Sequence, residues 1–124
     1  MMQSIKSVAT ELEVSKNALR YYEKEKLIGP IDRDANGIRQ YSTQDIEMIY
    51  KIVHLRAMGA TIKEIKSLLY DHDENDINDR MIEDLIKFLG ELDSRLTRNI
   101  KEIENQKVKI QKKVSRLENL LENK

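Results

Sequence analysis

The chain has 124 residues, which is enough for one domain or for a small domain with an appended segment. Its 22 basic side chains equal its 22 acidic ones, and the lack of cysteine excludes a disulfide framework, thiolate metal sites and a cysteine nucleophile. Only four glycines are present, with no glycine-rich phosphate loop, and no apolar run approaches the roughly 18 residues of a membrane span.

Two short helices are predicted at the start of the chain. Ser4 and Ser15 stand where a serine caps a helix, and only Glu13 and Val14 separate the two helices. Two short helices joined in this way indicate a helix-turn-helix. The inward-facing residues are Ile5, Val8, Ala9 and Leu12 in the first helix and Ala18, Leu19 and Tyr22 in the second.

A two-stranded ribbon is predicted next. Gly29-Pro30 ends helical structure, because proline has no amide donor and disfavours helix before it. Residues 31–41 contain the hairpin signal Asn36-Gly37. The ribbon would form the wing of a winged helix-turn-helix.

Two capping boxes predict a third and a fourth helix. Ser42 pairs with Asp45 and Thr61 pairs with Glu64 in the capping-box spacing, and Gly59 fits the end of the third helix. Apolar residues recur at helical intervals in both helices. They are Ile46, Ile49, Val53 and Met58 in the third helix and Ile62, Ile65, Leu68 and Leu69 in the fourth.

Residues 77–122 predict one long helix, since they contain no proline and a single glycine, Gly90. Apolar residues recur in steps of three and four, with Lys107 at one position of the series and a stutter at Leu92–Leu96–Ile100. A stripe of this length needs a partner helix to cover it. The predicted dimerisation residues are Leu85, Leu89, Leu92, Leu96, Ile100, Ile103, Ile110, Val114, Leu117 and Leu121.

The charges of the chain form three blocks. The net charge is +2 over residues 1–70, −7 over residues 71–93 and +5 over residues 94–124. A parallel homodimer would set like blocks side by side, whereas an antiparallel one sets opposite blocks together. The sequence therefore predicts an antiparallel coiled-coil homodimer, with a winged helix-turn-helix domain at 1–70 and an acidic linker and dimerisation helix at 71–124.

The second helix carries the side chains that suggest a function. Lys16, Asn17, Arg20 and Tyr21 share the face opposite its apolar residues. Arginine and lysine can bind guanine edges or phosphates, and asparagine can pair with adenine. The face therefore suits a DNA groove, although scattered charge more often marks a solvated helix.

Three sequence motifs strengthen the prediction that the protein binds DNA. They are Leu19-Arg20-Tyr21-Tyr22-Glu23, then Asn36-Gly37-x-Arg39-x-Tyr41, then Leu55-Arg56-x-x-Gly59. In this order, residues 4–70 resemble the MerR family of bacterial transcription regulators. The resemblance implies that the helix from Ser15 to Lys24 enters the major groove and that the wing, Leu27 to Tyr41, follows the neighbouring backbone.

The resemblance also implies a set of DNA-binding residues. Arg20 would be a principal groove contact, and Lys16 and Asn17 would read sequence. Arg39 and Tyr41 of the wing would hold phosphates. Tyr22 could equally be a core residue, and Arg56 could equally be a brace between helices. The implied set is Ser15, Lys16, Asn17, Arg20, Tyr21, Tyr22, Lys24, Arg39, Tyr41 and Arg56.

The function implied is that of a bacterial, cytoplasmic, non-enzymatic regulator without cofactor, metal or membrane contact. It would bind an inverted repeat in promoter DNA as a homodimer and distort the DNA, with RNA polymerase as a further partner. Without cysteine, metal and redox effectors are not expected; a small ligand, a protein partner or no effector remain open. An effector-independent repressor or DNA-architectural protein and a coiled-coil adaptor are the alternative functions.

One acidic cluster imitates a metal site. Asp71, Asp73 and Asn75 match the first ligands of a calcium loop, but Asp76 and Ile82 replace the glycine and the glutamate that such a loop requires. We therefore interpret the cluster as an acidic linker.

Overall fold

The computed structural model describes residues 2–70 and 78–124 and divides into two units, with the division between Met81 and Ile82. The architecture is mainly helical, with a helix-turn-helix, a two-stranded antiparallel wing and a long last helix, as predicted. The predicted acidic linker at Asp71, Asp73 and Asn75 lies outside the described residues. The elements are α1 (Ile5–Glu11), α2 (Lys16–Lys24), β1 (Asp32–Arg33), β2 (Arg39–Gln40), α3 (Thr43–Ala57), α4 (Ile62–Tyr70) and α5 (Asp79–Glu122).

The helices of the first unit begin at the predicted side-chain caps. The hydroxyls of Ser4 and Ser15 each accept the backbone N–H three residues on, at 3.1 Å and 3.0 Å. Both capping boxes form, at Ser42–Asp45 and at Thr61–Glu64, with all four hydrogen bonds between 2.9 and 3.1 Å. These caps satisfy amide groups that a helix start otherwise leaves without partners.

Three helices end in the same way, with one residue in the left-handed conformation. This residue is Glu13 after α1, Lys26 after α2 and Gly59 after α3, with φ of 53°, 60° and 99°. Glycine adopts this conformation without cost, whereas another residue pays about 1–2 kcal/mol. After each of them a backbone N–H returns to the last turn of the helix: Val14 to Ala9, Leu27 to Tyr22 and Ala60 to Leu55.

The wing is the predicted hairpin, but its turn differs from the two-residue turn that Asn36-Gly37 signals. Only Gly37 of that pair has a positive φ, 77°, so the turn is not of the mirror-image type. Asp34 instead organises the loop, because its Oδ1 accepts the N–H groups of Asn36 and Ile38 at 2.9 and 3.0 Å. The local hydrogen bonding of this aspartate competes with the tighter turn.

The first unit buries one core among its helices and the wing. In α3, Met58 is 45% exposed at the C-cap of the helix, whereas Met48 and Ile52 are buried. The core residues are Val8, Leu19, Tyr22, Leu27, Ile28, Ile31, Tyr41, Met48, Ile49, Ile52, Ala60 and Ile65.

The last helix, α5, has 44 residues, which corresponds to a length of about 66 Å. Most of its apolar stripe is exposed; Leu92, in contrast, is buried, and Leu89 is half-buried. No helix in the described part of the chain is both long and apolar enough to cross a membrane. The exposed members of the predicted seam are Leu85, Leu96, Ile100, Ile103, Ile110, Val114, Leu117 and Leu121.

Candidate nucleic-acid interface

Helix α2 has one buried and one exposed face. Leu19 and Tyr22 are buried, at 0% and 6% exposure, and hold the helix on the core. This packing leaves the polar residues on the opposite face in solvent. The exposed residues are Lys16, Asn17, Arg20, Tyr21 and Lys24.

Two of the exposed residues of α2 are bonded to each other. Nη1 of Arg20 donates a hydrogen bond of 3.1 Å to Oδ1 of Asn17, one turn earlier. The bond orients the guanidinium along the helix surface and uses one of the two acceptor sites of the Asn17 amide oxygen. Arg20 and Asn17 therefore form one polar unit at the centre of the exposed face.

A glutamate at the end of α2 joins that helix to the wing. Oε1 of Glu23 accepts a hydrogen bond from Nε of Arg39 at 2.8 Å, and Oε2 accepts the backbone N–H of Ile31 at 3.3 Å. Arg39 was predicted to hold a phosphate; here its Nε is engaged within the protein. The sequence analysis missed Glu23, although it is part of the motif that carries the family resemblance.

The pKa of Glu23 reflects these contacts. Burial acts to raise it, but the hydrogen bonds from Arg39 and Ile31 and the charges of Arg39 and Arg33 outweigh burial, so that the pKa lies below its ordinary value. The carboxylate is therefore charged at neutral pH and holds β1 and β2 against the end of α2.

Replacement of this carboxylate should show the link through a change in stability. We expect Glu23→Gln to lower the free energy of unfolding by about 1–3 kcal/mol at pH 7, as the loss of a charged hydrogen bond does. Folding lowers the pKa of Glu23. The stabilisation by its carboxylate is therefore present above the unfolded carboxyl pKa of about 4.3 and is lost as pH falls through the folded pKa. Denaturant unfolding at pH 7 and pH 3 measures this, with Glu47→Gln on α3 as the exposed control. A difference between wild type and Glu23→Gln that stays constant with pH would contradict the assignment.

The wing carries a second arginine that the sequence analysis did not select. Arg33 on β1 lies directly opposite Arg39 on β2, and its Nη1 donates to the backbone oxygen of Gly37 at 3.1 Å. Like charges in facing positions destabilise a hairpin, and the carboxylate of Glu23 offsets this repulsion. The exposed side chain of Arg33 makes it the wing arginine that lies open to solvent. Arg33 faces Arg39 in only one register of the hairpin, and the sequence pattern does not determine that register.

Two tyrosines of the predicted DNA-binding set lie in the core. Tyr41 is 0% exposed, and its hydroxyl has no hydrogen-bond partner among the described residues. Burial raises the pKa of this phenol, so the hydroxyl is neutral at physiological pH. Tyr22 is also buried, in agreement with its alternative reading as a core residue. Neither side chain reaches the surface, and we leave both out of the interface.

The hydroxyl of Tyr41 provides a direct test of this placement. A buried hydroxyl without a partner costs about 1–3 kcal/mol, so Tyr41→Phe should leave the free energy of unfolding unchanged or raise it, with DNA affinity preserved. The matched change Tyr21→Phe removes an exposed hydroxyl of α2 and should weaken DNA binding about threefold to tenfold. Denaturant unfolding and a DNA titration measure both variants. Weaker DNA binding by Tyr41→Phe would restore the predicted phosphate contact.

Arg56, at the end of α3, acts as a brace in this structure. Its Nη1 donates to the backbone oxygen of Ala60 at 2.9 Å, across the turn to α4. Ser15, also in the predicted set, caps α2 through its Oγ, and a hydroxyl that accepts at a cap can still donate to a phosphate.

Comparison with known proteins places the first unit among regulators. A family model described as "MerR HTH family regulatory protein" matches residues 3–71. The chain is 35% identical over 66 residues to the HTH-type transcriptional regulator CueR of Yersinia pestis, which is 53% of this chain and 48% of that protein. It is 36% identical over 72 residues to the mercuric resistance operon regulatory protein of Bacillus cereus, 56% of this chain and 54% of that protein. The chain thus spans about half the length of these curated relatives.

Solved structures share the fold over more of the chain. The N-terminal part of MtaN, the multidrug transporter activator of Bacillus subtilis, is 27% identical with a TM-score of 0.58, covering 84% of this chain and 96% of that one. HiNmlR, a MerR family regulator lacking the sensor domain and bound to promoter DNA, is 24% identical with a TM-score of 0.64, covering 85% and 77%. At that identity, the second likeness shows the fold alone.

Proposed function

This chain belongs to the MerR family of helix-turn-helix regulatory proteins, and we propose that it is a sequence-specific, DNA-binding transcriptional regulator that acts as a homodimer. The observation that carries the proposal is the exposed face of α2, where Lys16, Asn17, Arg20 and Tyr21 stand opposite the buried Leu19 and Tyr22. An α-helix fits the major groove, and this face offers cations, an amide and a phenol to base edges and phosphates.

The exposed residues of α2 have different proposed contacts with DNA, according to the chemistry of their side chains. Arg20 and Asn17 lie together and suit base edges, since arginine pairs with guanine and asparagine with adenine. Lys16 lies in the first turn, beside the N-terminus of the helix, where amide groups also favour a phosphate. Tyr21 and Lys24 would contact the flanking backbone.

The wing supplies the second contact. We place Arg33 rather than Arg39 at the neighbouring phosphates, because Arg39 is engaged by Glu23. The Glu23 carboxylate would then position the wing relative to α2, so that groove and backbone are contacted together. Phosphate contacts of this kind set the register of a protein on DNA without reading its sequence.

The exposed apolar stripe of α5 supports the proposed dimer. Leu96, Ile100, Ile103, Ile110, Val114 and Leu117 are 45–62% exposed in the single chain, and a stripe of this length requires a partner. The charge blocks favour an antiparallel pair, which would present two heads to an inverted repeat. Bending DNA to meet both heads costs on the order of 1–6 kcal/mol, offset by contacts at both half-sites.

The proposal includes a bacterial cytoplasmic location, where promoter DNA lies, with RNA polymerase as the enzyme that reads the distorted promoter. It includes no catalytic activity, and the curated relatives named above are regulators. The domain division at 1–70 and 71–124 remains part of the proposal. Modulation of the dimer by a small ligand or by a protein partner is not part of the proposal.

Selection of DNA sites from a random pool tests the function. The purified protein should enrich one inverted repeat with half-sites at fixed spacing, at physiological salt. The same pool selected with Arg20→Ala provides the control, and its enrichment should fall or its motif should change. A folded, dimeric protein that enriches no site would overturn the proposal and favour the adaptor function.

A further inference from the structure

The exposed apolar stripe of α5 is interrupted by one charged residue. From Ile100 onward the stripe advances in alternating steps of three and four residues, and Lys107 occupies the position between Ile103 and Ile110. Its side chain is exposed in the single chain, in line with its apolar neighbours. A lysine at such a position of a coiled coil lowers stability and selects alignment.

We infer that α5 pairs with a second copy of this chain in one antiparallel alignment, centred between Ile100 and Ile103, and that Lys107 selects this alignment. The inference rests on the proposed dimer and adds its register and the residue that determines it. It concerns which residues of the two copies face each other.

The spacing of the stripe is self-complementary about that centre. When Ile100 faces the partner's Ile103, the other apolar residues also face apolar residues, to within one position along the helix. Lys107 is the exception, because it faces the partner's Leu96. The facing pairs are Ile82 with Leu121, Leu85 with Leu117, and Leu89 with Val114. Leu92 is already buried within the single chain and lies at the level of the partner's Ile110.

Other alignments place charge against the stripe. A shift of one heptad in one direction sets Leu117 against the partner's Asp79, so that Leu117 loses its apolar partner. A shift in the other direction brings the two Lys107 side chains to within about 6 Å along the axis, at 1.5 Å per residue. A parallel pair sets Lys107 directly against Lys107. The first shift therefore leaves part of the stripe uncovered, and the other two arrangements place like charges close together.

In the inferred alignment the lysine has both an apolar and a charged neighbour. Its methylene groups can lie on the partner's Leu96, and its ammonium can extend toward the partner's Asp93, one turn away. The wider charge distribution agrees, since residues 79–93 carry five acidic and two basic side chains while residues 94–124 are net +5. In the antiparallel pair, the acidic first part of one α5 therefore lies beside the basic second part of the other.

Distances between labels test the alignment, and the lack of native cysteine makes single-site labelling clean. Asn105→Cys and Asn119→Cys place spin labels on the face away from the stripe. At 1.5 Å per residue, the same-site axial separations should be about 10 Å and about 52 Å. A shift of one heptad changes each by about 10 Å, and a parallel pair gives no axial separation at either site.

Lys107→Leu tests the selecting residue, in the background of Asn119→Cys. We expect a second distance population at the lateral spacing of paired helices, about 10 Å plus the labels, which the wild type lacks. Lys112→Leu makes the same change on the outward face and should keep the single long distance. An unchanged distribution in Lys107→Leu would overturn the role of the lysine, and other wild-type distances would overturn the alignment. A monomer in sedimentation would instead overturn the proposed dimer itself.

Discussion

Arg20→Ala is expected to weaken operator binding by about thirtyfold or more. Loss of one arginine contact to a base edge or phosphate costs on the order of 1–3 kcal/mol per half-site, and a dimer loses it at both. Arg20 is exposed on α2 and donates to Asn17, so its removal also takes away the group that orients the amide proposed to read adenine. Titration of labelled operator at fixed salt measures the loss.

The salt dependence of the same titration separates two roles of Arg20. A phosphate contact lowers the slope of log affinity against log salt by about one per half-site, whereas a base contact changes the selected sequence. Lys51→Ala removes an exposed charge of α3 outside the proposed surface and should bind as the wild type does. Equal binding by Arg20→Ala and wild type would remove α2 as the recognition helix.

Leu96→Pro is expected to abolish the dimer and to reduce operator affinity at least about a hundredfold. Proline in a helix interior costs about 3 kcal/mol or more, and Leu96 lies within the 44 residues of α5, far from either end. Two linked heads bind far more tightly than one, because the second contact becomes intramolecular. Analytical ultracentrifugation and an operator titration measure both effects.

A second substitution tests the stripe without breaking the helix. Ile103→Asp places a charge on the apolar stripe and should also give a monomer, while Asn105→Asp on the outward face should leave the dimer intact. If a monomeric variant still binds operator with nanomolar affinity, the two heads do not depend on α5 for their spacing. That outcome would leave the α2 surface in place and remove the dimer from the mechanism.

The contact between Glu23 and Arg39 gives the family motif a physical explanation. Glu23 ends the Leu-Arg-Tyr-Tyr-Glu segment and Arg39 lies in the Asn-Gly-x-Arg-x-Tyr segment, and the 2.8 Å bond joins the two. One residue of each motif therefore helps to hold the wing at the end of α2. The family resemblance implied that Arg39 holds a phosphate, and the carboxylate sixteen positions earlier gave no local sign of the pairing.

Much of the first unit could be predicted from local physical rules. Helix starts at Ser4 and Ser15, and the boxes at Ser42–Asp45 and Thr61–Glu64, depend on side chains three residues apart in sequence. Such pairs meet whenever the helix forms, so the sequence alone determined them. The amphipathic pattern of α2 likewise determined which of its faces is exposed, because that pattern depends only on helical periodicity.

The tertiary structure decided the features that depend on residues far apart in the chain. Tyr41 is buried because the wing packs against the helices, which turns a predicted phosphate contact into a core residue. The way the elements end and pack also decides three other positions. Arg39 is bonded to Glu23, Arg33 is exposed on the wing, and Met58 is exposed at the C-cap of α3. Burial and hydrogen-bond partners are properties of packing, and packing is not set by the residue type or by its near neighbours. The sequence by itself therefore determined the elements and the face that α2 exposes, whereas only the packed structure decided which polar side chains remain available to DNA.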